Sequence, residues 1–206
     1  DDGARFAALG IRHTLDLRDV DESESMPDEL ALFDGVSYRQ IAMKRVPRAV
    51  ARNRPGGLSA FDDAFFWGDE YVRMLEDNRP WAKECAEFLA AAEGTVLFHC
   101  FTGKDRTGIL AALILGVCGV SPEDIAADYS VSQIYLRPLY RWMRENIPDF
   151  AARKENAPFF STAGENILAV CDHLENEYGG AERFLRECGA GADTLDALRR
   201  RMIKKA

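Results

Sequence analysis

Apolar and polar positions change period several times along the 206 residues, and each change predicts an element. Residues 4 to 9 read as the end of a helix closed by Gly10, a residue suited to the left-handed position after a helix. Ile11, His13, Leu15 and Leu17 then alternate with Arg12, Thr14 and Asp16, the period of a strand. The acidic residues 19 to 29 read as a solvated loop or short helix, and Val36 to Met43 as a second strand. Residues 44 to 59 form a basic loop with Lys44, Arg45, Arg48, Arg52 and Arg54 among prolines and glycines. Helical spacing runs from Asp69 to Ala92 with an interruption at Pro80. Thr95 to Phe98 is a short buried strand, and Thr107 to Val117 a helix apolar on so many sides that most must be covered. Ser121, Pro122, Glu123 and Asp124 combine a cap, a first-turn proline and an acidic first turn. Further helices are expected at 134–146, 165–178, 181–188 and 194–205, the second and third closed by Gly179 and Gly189.

Strands followed by helices around a core strand predict an α/β fold: one domain over 1–206, a central, mostly parallel sheet flanked by helices. The best-defined unit is strand 95–98, loop 99–106 and helix 107–117, and ligands of such sheets sit beyond the carboxyl end of a strand. A net charge of −8 argues against a nucleic-acid partner, so any anion must be held by a local cradle. No run of eighteen apolar residues exists, and no integral membrane segment is expected. The five cysteines are odd in number and lack zinc spacing, so no metal is implied. Cys85, Cys118, Cys171 and Cys188 read as free thiols among apolar neighbours, which fits a reducing, cytoplasmic compartment. The chain opens on Asp1, within what reads as a helix, so a leading segment and secretion stay open.

The arc from Cys100 to Arg106 is the chemical feature. Its backbone N–H groups can form a concave nest for an anion, and the following helix adds its positive end. Gly103 lets the backbone curl, and the Arg106 guanidinium suits two oxygens of a phosphate. The same surroundings favour a thiolate at Cys100. Thiolate attack on phosphorus gives a cysteinyl-phosphate that water then hydrolyses, with no cofactor. Asp105 is the nearest carboxyl group for the proton of the leaving oxygen, Thr107 can donate to the sulfur, and His99 can buttress the loop. Only Cys100 has an arginine six positions on; at that offset the other cysteines have Ala91, Asp124, Glu177 and Thr194.

The stretch HCFTGKDRTG, residues 99 to 108, resembles the signature of cysteine-dependent protein tyrosine phosphatases. Its Gly-Lys-Asp-Arg-Thr-Gly form resembles the bacterial and fungal branch that acts on phosphotyrosine, often also on phosphoserine, phosphothreonine and phosphoinositides. IRHTLDLRDVDE resembles that branch's strand and Asp-Leu-Arg stretch (Asp16, Leu17, Arg18), YRQIAM its next strand, and HLENEYGGAERFLRECG its C-terminal helices. The resemblance implies Cys100 as nucleophile and Arg106 as phosphate-binding arginine. Phe101, Thr102, Gly103, Lys104 and Thr107 fall in the substrate-binding loop, with His99 and Gly108 in support. It also implies that a hairpin preceding residue 1 is missing from this chain. Lys104 points to a second anionic group on the substrate. The acid is open between Asp105, Asp16 and Asp69; no Trp-Pro-Asp segment occurs, and Trp67-Gly68-Asp69 is a poor substitute.

Three further features have bland alternatives. The Lys44–Arg54 run is a polyanion- or membrane-binding surface or a solvated loop. Residues 147 to 163, with Phe150, Phe159 and Phe160, are part of a lid or an ordinary connection. His13 and His173 read as structural. A nucleotide-binding phosphate loop is excluded because Gly103-Lys104 is followed by Asp105 and position 98 is Phe. A sulfurtransferase, an arsenate reductase or a phosphate-binding pseudophosphatase remain as rivals.

Overall fold

A computed structural model describes residues 8–44, 66–151 and 158–203, together with Phe6. Half of the helix end expected at 4–9, nearly all of the basic loop and residues 152–157 lie outside the described residues. Three strands, β1 (Ile11–Asp16), β2 (Ser37–Gln40) and β3 (Thr95–His99), form a parallel sheet in the order β2-β1-β3. Asp16 pairs with Gln40 on one side and His99 on the other, so all three strands end at one edge. Regular pairing of β2 is shorter than the expected 36–43, but the chain stays beside β1: Ile41 N–H donates to Asp16 O and Met43 N–H to Leu17 O. Ile41 and Met43 are buried, which is why the apolar alternation outlasts the strand.

Helix α1 (Val20–Ser25) follows β1, and α2 (Trp67–Asp77) and α3 (Arg79–Ala91) precede β3. The expected break near Pro80 falls at Asn78, with Pro80 in the first turn of α3, where its missing N–H costs nothing. Asn78 is itself buried and ties the break to Lys44 through Lys44 N–H to Oδ1 (2.8 Å). Helix α4 (Asp105–Val117) leaves β3 through the loop and buries Ile109, Leu110, Leu113, Ile114 and Val117. Cover for it comes from α3, α5 (Pro122–Ser130), α7 (Gly164–His173), α8 (Ala181–Glu187) and α9 (Ala192–Met202). Helix α6 (Ser132–Asn146) carries a satellite cluster of Leu136, Tyr140, Met143 and Phe160. The predicted cap of α5 is present, with Ser121 Oγ accepting from Asp124 N–H at 3.2 Å.

Candidate active site

The loop between β3 and α4 lies at the carboxyl edge of the sheet. Gly103 takes φ +71°, the left-handed region where only glycine is unstrained, and turns the chain into α4. The helix starts at Asp105, two residues before the expected Thr107, so Asp105 and Arg106 are first-turn residues. Gly108 is required by space: a Cβ there would sit 2.9 Å from the Tyr129 ring.

Cys100 and Arg106 are each 5% exposed, whereas Phe101 at the rim is 49% exposed. The Arg106 guanidinium faces Glu22, with Nη1–H donating to Oε2 at 2.5 Å and Nη2–H to Oε1 at 3.1 Å. Burial works against the guanidinium charge, but Glu22 and the Cys100 sulfur outweigh it and raise the Arg106 pKa. Glu22 is anchored independently. It closes a capping box at the start of α1, donating its N–H to Asp19 Oδ1 and accepting Asp19 N–H on Oε2. A guanidinium has five N–H donors, so two on Glu22 leave three for a bound anion.

His99 lies against the loop, with Nδ1 3.0 Å from Cys100 O and Nε2 3.0 Å from Asp28 Oδ2. Asp16, Asp28 and His99 approach closely enough to share an ion, but Asp16 is already committed. Both its oxygens accept from Arg18, and Oδ2 also takes the Tyr38 hydroxyl at 2.9 Å. Burial alone would push the Asp16 carboxyl up; the bonds from Arg18 and Tyr38 hold it below its usual range. The Asp-Leu-Arg stretch is thus a buried ion pair beneath the loop, and Asp16 has no proton to give a leaving group. Asp69 is exposed in the first turn of α2, and its neighbour Trp67 stacks on Lys104 and donates Nε1–H to Pro158 O.

Lys104 corrects an expectation. Instead of reaching toward substrate it is 2% exposed and turned inward, donating to Phe159 O at 3.0 Å and Ser161 O at 3.3 Å. Its ammonium lies 4.3 Å from the Trp67 ring centre and 3.4 Å from Asp105 Oδ1. Burial depresses its pKa, with Asp105 opposing. Thr107 differs too: its Oγ1 is buried with no hydrogen-bond partner among the described residues, so the expected bond to the Cys100 sulfur is not formed. Asp105 accepts from the Tyr71 hydroxyl at 2.5 Å, and Tyr71 meets the Tyr129 hydroxyl at 2.7 Å. Thr102 and Gly103 line a shallow cleft with Val131, Tyr135 and Leu136.

Glu22, Asp28, Tyr71 and Tyr129 were missed from sequence. Only Glu22 carried a local signal, the Asp-x-x-Glu spacing from Asp19, and that predicts a helix start, with nothing to mark an arginine 84 residues away. The assembled arrangement offers a buried thiol, a guanidinium with free donors, first-turn N–H groups and a tethered carboxyl group. Such a set can hold a tetrahedral anion against a nucleophile.

Comparison with known proteins agrees with this chemistry. The model of a family described as "Tyrosine phosphatase family" matches residues 1–204. A "Tyrosine-protein phosphatase" of Nostoc commune is 31% identical over 204 residues, covering 96% of this chain and 68% of that protein. The "Triple specificity protein phosphatase PtpB" of Mycobacterium tuberculosis is 29% identical over 201 residues, covering 89% of this chain and 69% of that protein.

Proposed function

The chain belongs to the tyrosine phosphatase family, and from that premise we propose that it hydrolyses phosphotyrosine through a cysteinyl-phosphate at Cys100. One observation carries the reading: Cys100 and Arg106 are buried together where the loop meets the positive end of α4, with Arg106 donors left over by its partners among the described residues. The phosphate enters the loop and is held by backbone N–H groups of Phe101 to Arg106 and by the Arg106 guanidinium. The Cys100 sulfur forms a bond to phosphorus as the ester P–O bond breaks. Asp105 gives its proton to the leaving oxygen. Water then attacks phosphorus, Asp105 takes a proton from it, the S–P bond breaks and phosphate departs. Thr107 Oγ1, free of other partners, can turn toward the sulfur as it leaves. Charge spreads over the equatorial oxygens in the transition state, so preorganised donors supply most of the rate gain.

The burial of Cys100 supports phosphotyrosine over phosphoserine as preferred substrate. A nucleophilic cysteine 5% exposed beside a residue 49% exposed is reached best by a phosphate on a long aromatic arm. Activity on phosphoserine, phosphothreonine and phosphoinositides is the broader reading that the loop sequence supports, and the free thiols support a cytoplasmic setting. The test is a panel of phosphotyrosine peptide, phosphoserine peptide and phosphoinositide, run on wild type and Cys100→Ser. Wild type should favour phosphotyrosine and Cys100→Ser should lose every activity. Hydrolysis surviving in Cys100→Ser overturns the mechanism.

A further inference from the structure

We propose that Tyr71 is a positioning residue for the proton transfer: its buried hydroxyl holds Asp105 by Oδ1, so that Oδ2 carries the proton to the leaving oxygen. The inference rests on the reading of Asp105 as the acid. Tyr71 is on α2 and fully buried; its ring packs on Trp67 and Tyr129, and its hydroxyl reaches Asp105 directly. A carboxylate can only accept, so the one phenolic proton of Tyr71 goes to Asp105, and the Tyr129 hydroxyl at 2.7 Å must donate to Tyr71. The order Tyr129, Tyr71, Asp105 is therefore determined by donor count. Burial and the Asp105 charge push the Tyr71 phenol well above its usual pKa, so the donor stays protonated throughout the working range.

Both contacts of Asp105 fall on one oxygen, Tyr71 at 2.5 Å and the Lys104 ammonium at 3.4 Å. A proton on Oδ1 would collide with both donors, so protonation is directed to Oδ2. The bond from Tyr71 persists whether Asp105 is charged or neutral, since Oδ1 accepts in either state. Without it the Asp105 side chain has a competing option. At the first position of α4 it can fold back onto the unpaired N–H groups of the first turn, away from a leaving group. Gly108 preserves the arrangement, because a side chain there would displace the Tyr129 ring.

The test is Tyr71→Phe assayed on aryl phosphates of graded leaving-group pKa plus an alkyl phosphate. The variant should lose about tenfold in kcat on the alkyl ester, at the low end of what one hydrogen bond to a charged group carries, and almost nothing on p-nitrophenyl phosphate. KM should hold. In an Asp105→Asn background the same change should have no further effect, because the acid it positions is gone. Uniform loss across the series, or effects that multiply with Asp105→Asn, would mark Tyr71 as merely structural. If Asp105→Asn alone leaves the leaving-group dependence unchanged, the acid assignment fails and the inference with it. Tyr129→Phe, two bonds from Asp105, should show the same pattern weakly; it serves if Tyr71→Phe does not fold, and a flat response there overturns the relay.

Discussion

Replacing Glu22 by alanine tests whether Arg106 is held in place or held back. Glu22 accepts two charge-assisted hydrogen bonds from Arg106, and the two side chains are 12% and 6% exposed. Removing one partner of a buried pair costs roughly 3–5 kcal/mol, because the other charge is left buried. The neighbouring Cys100 sulfur, a second partner for the guanidinium, places this site at the low end, about 3 kcal/mol, or about 6–12 °C in Tm for a chain of this size. Inorganic phosphate or vanadate should raise Tm no more in Glu22→Ala than in wild type, because a guanidinium that Glu22 no longer orients binds the anion no better. Catalysis should fall as well. Glu22 is pinned by its own capping box and sets the plane of Arg106 before any ligand arrives. Losing one well-placed bond to a charged group corresponds to about 10- to 100-fold in kcat/KM. Stopped assays of phosphotyrosine peptide and thermal melts with and without phosphate measure both. A kcat/KM equal to or above wild type would refute the reasoning, since it would mean that Glu22 competes with phosphate for Arg106. An unchanged Tm would refute the burial argument.

Three further outcomes are expected. Lys104→Met should cost about 1–2 kcal/mol in urea unfolding, from the lost bonds to Phe159 O and Ser161 O, while leaving the ratio of phosphoinositide to phosphotyrosine activity unchanged; a collapse of that ratio would return Lys104 to the substrate. The Asp16 carboxyl is depressed in the folded state, so its contribution to stability is present above the unfolded carboxyl pKa of about 3.9 and is lost as pH falls through the folded value. Tm against pH should show an acid limb below about pH 4 that Asp16→Asn removes, together with stability at neutral pH. Burial pushes the Cys171 and Cys188 thiols to about 11 and holds the Cys85 thiol well above its usual range, so iodoacetamide at neutral pH should label Cys100 first, and phosphate should slow it; peptide mapping that finds another thiol labelled first would contradict this.

What could be read from sequence was local, and what could not was set by the sheet. The loop was legible because cysteine, glycine and arginine act through spacing within one turn of chain, and the fold class because periods of two and near four alternate. The start of α4 was misplaced by two residues because Asp105 and Arg106, polar and charged, sit in a first turn that faces a site and not a core. The direction of Lys104 was illegible for a different reason: loop membership places its backbone, but Trp67 and the carbonyls of Phe159 and Ser161 decide its rotamer. The remaining partners follow from register. Because β1 lies parallel beside β3 with Asp16 opposite His99, whatever follows each strand emerges at the same edge. The segment after β1 supplies Arg18, Glu22 and Asp28, and the segment after β3 supplies Cys100, Asp105 and Arg106. An acidic stretch that reads as solvated in isolation becomes the counter-charge of the phosphate loop once those strands pair. Slipping that register by one residue would exchange the faces on which Leu15 and Asp16, both fully buried, are held, so the packing that buries Leu15 is the same constraint that delivers Glu22 to Arg106.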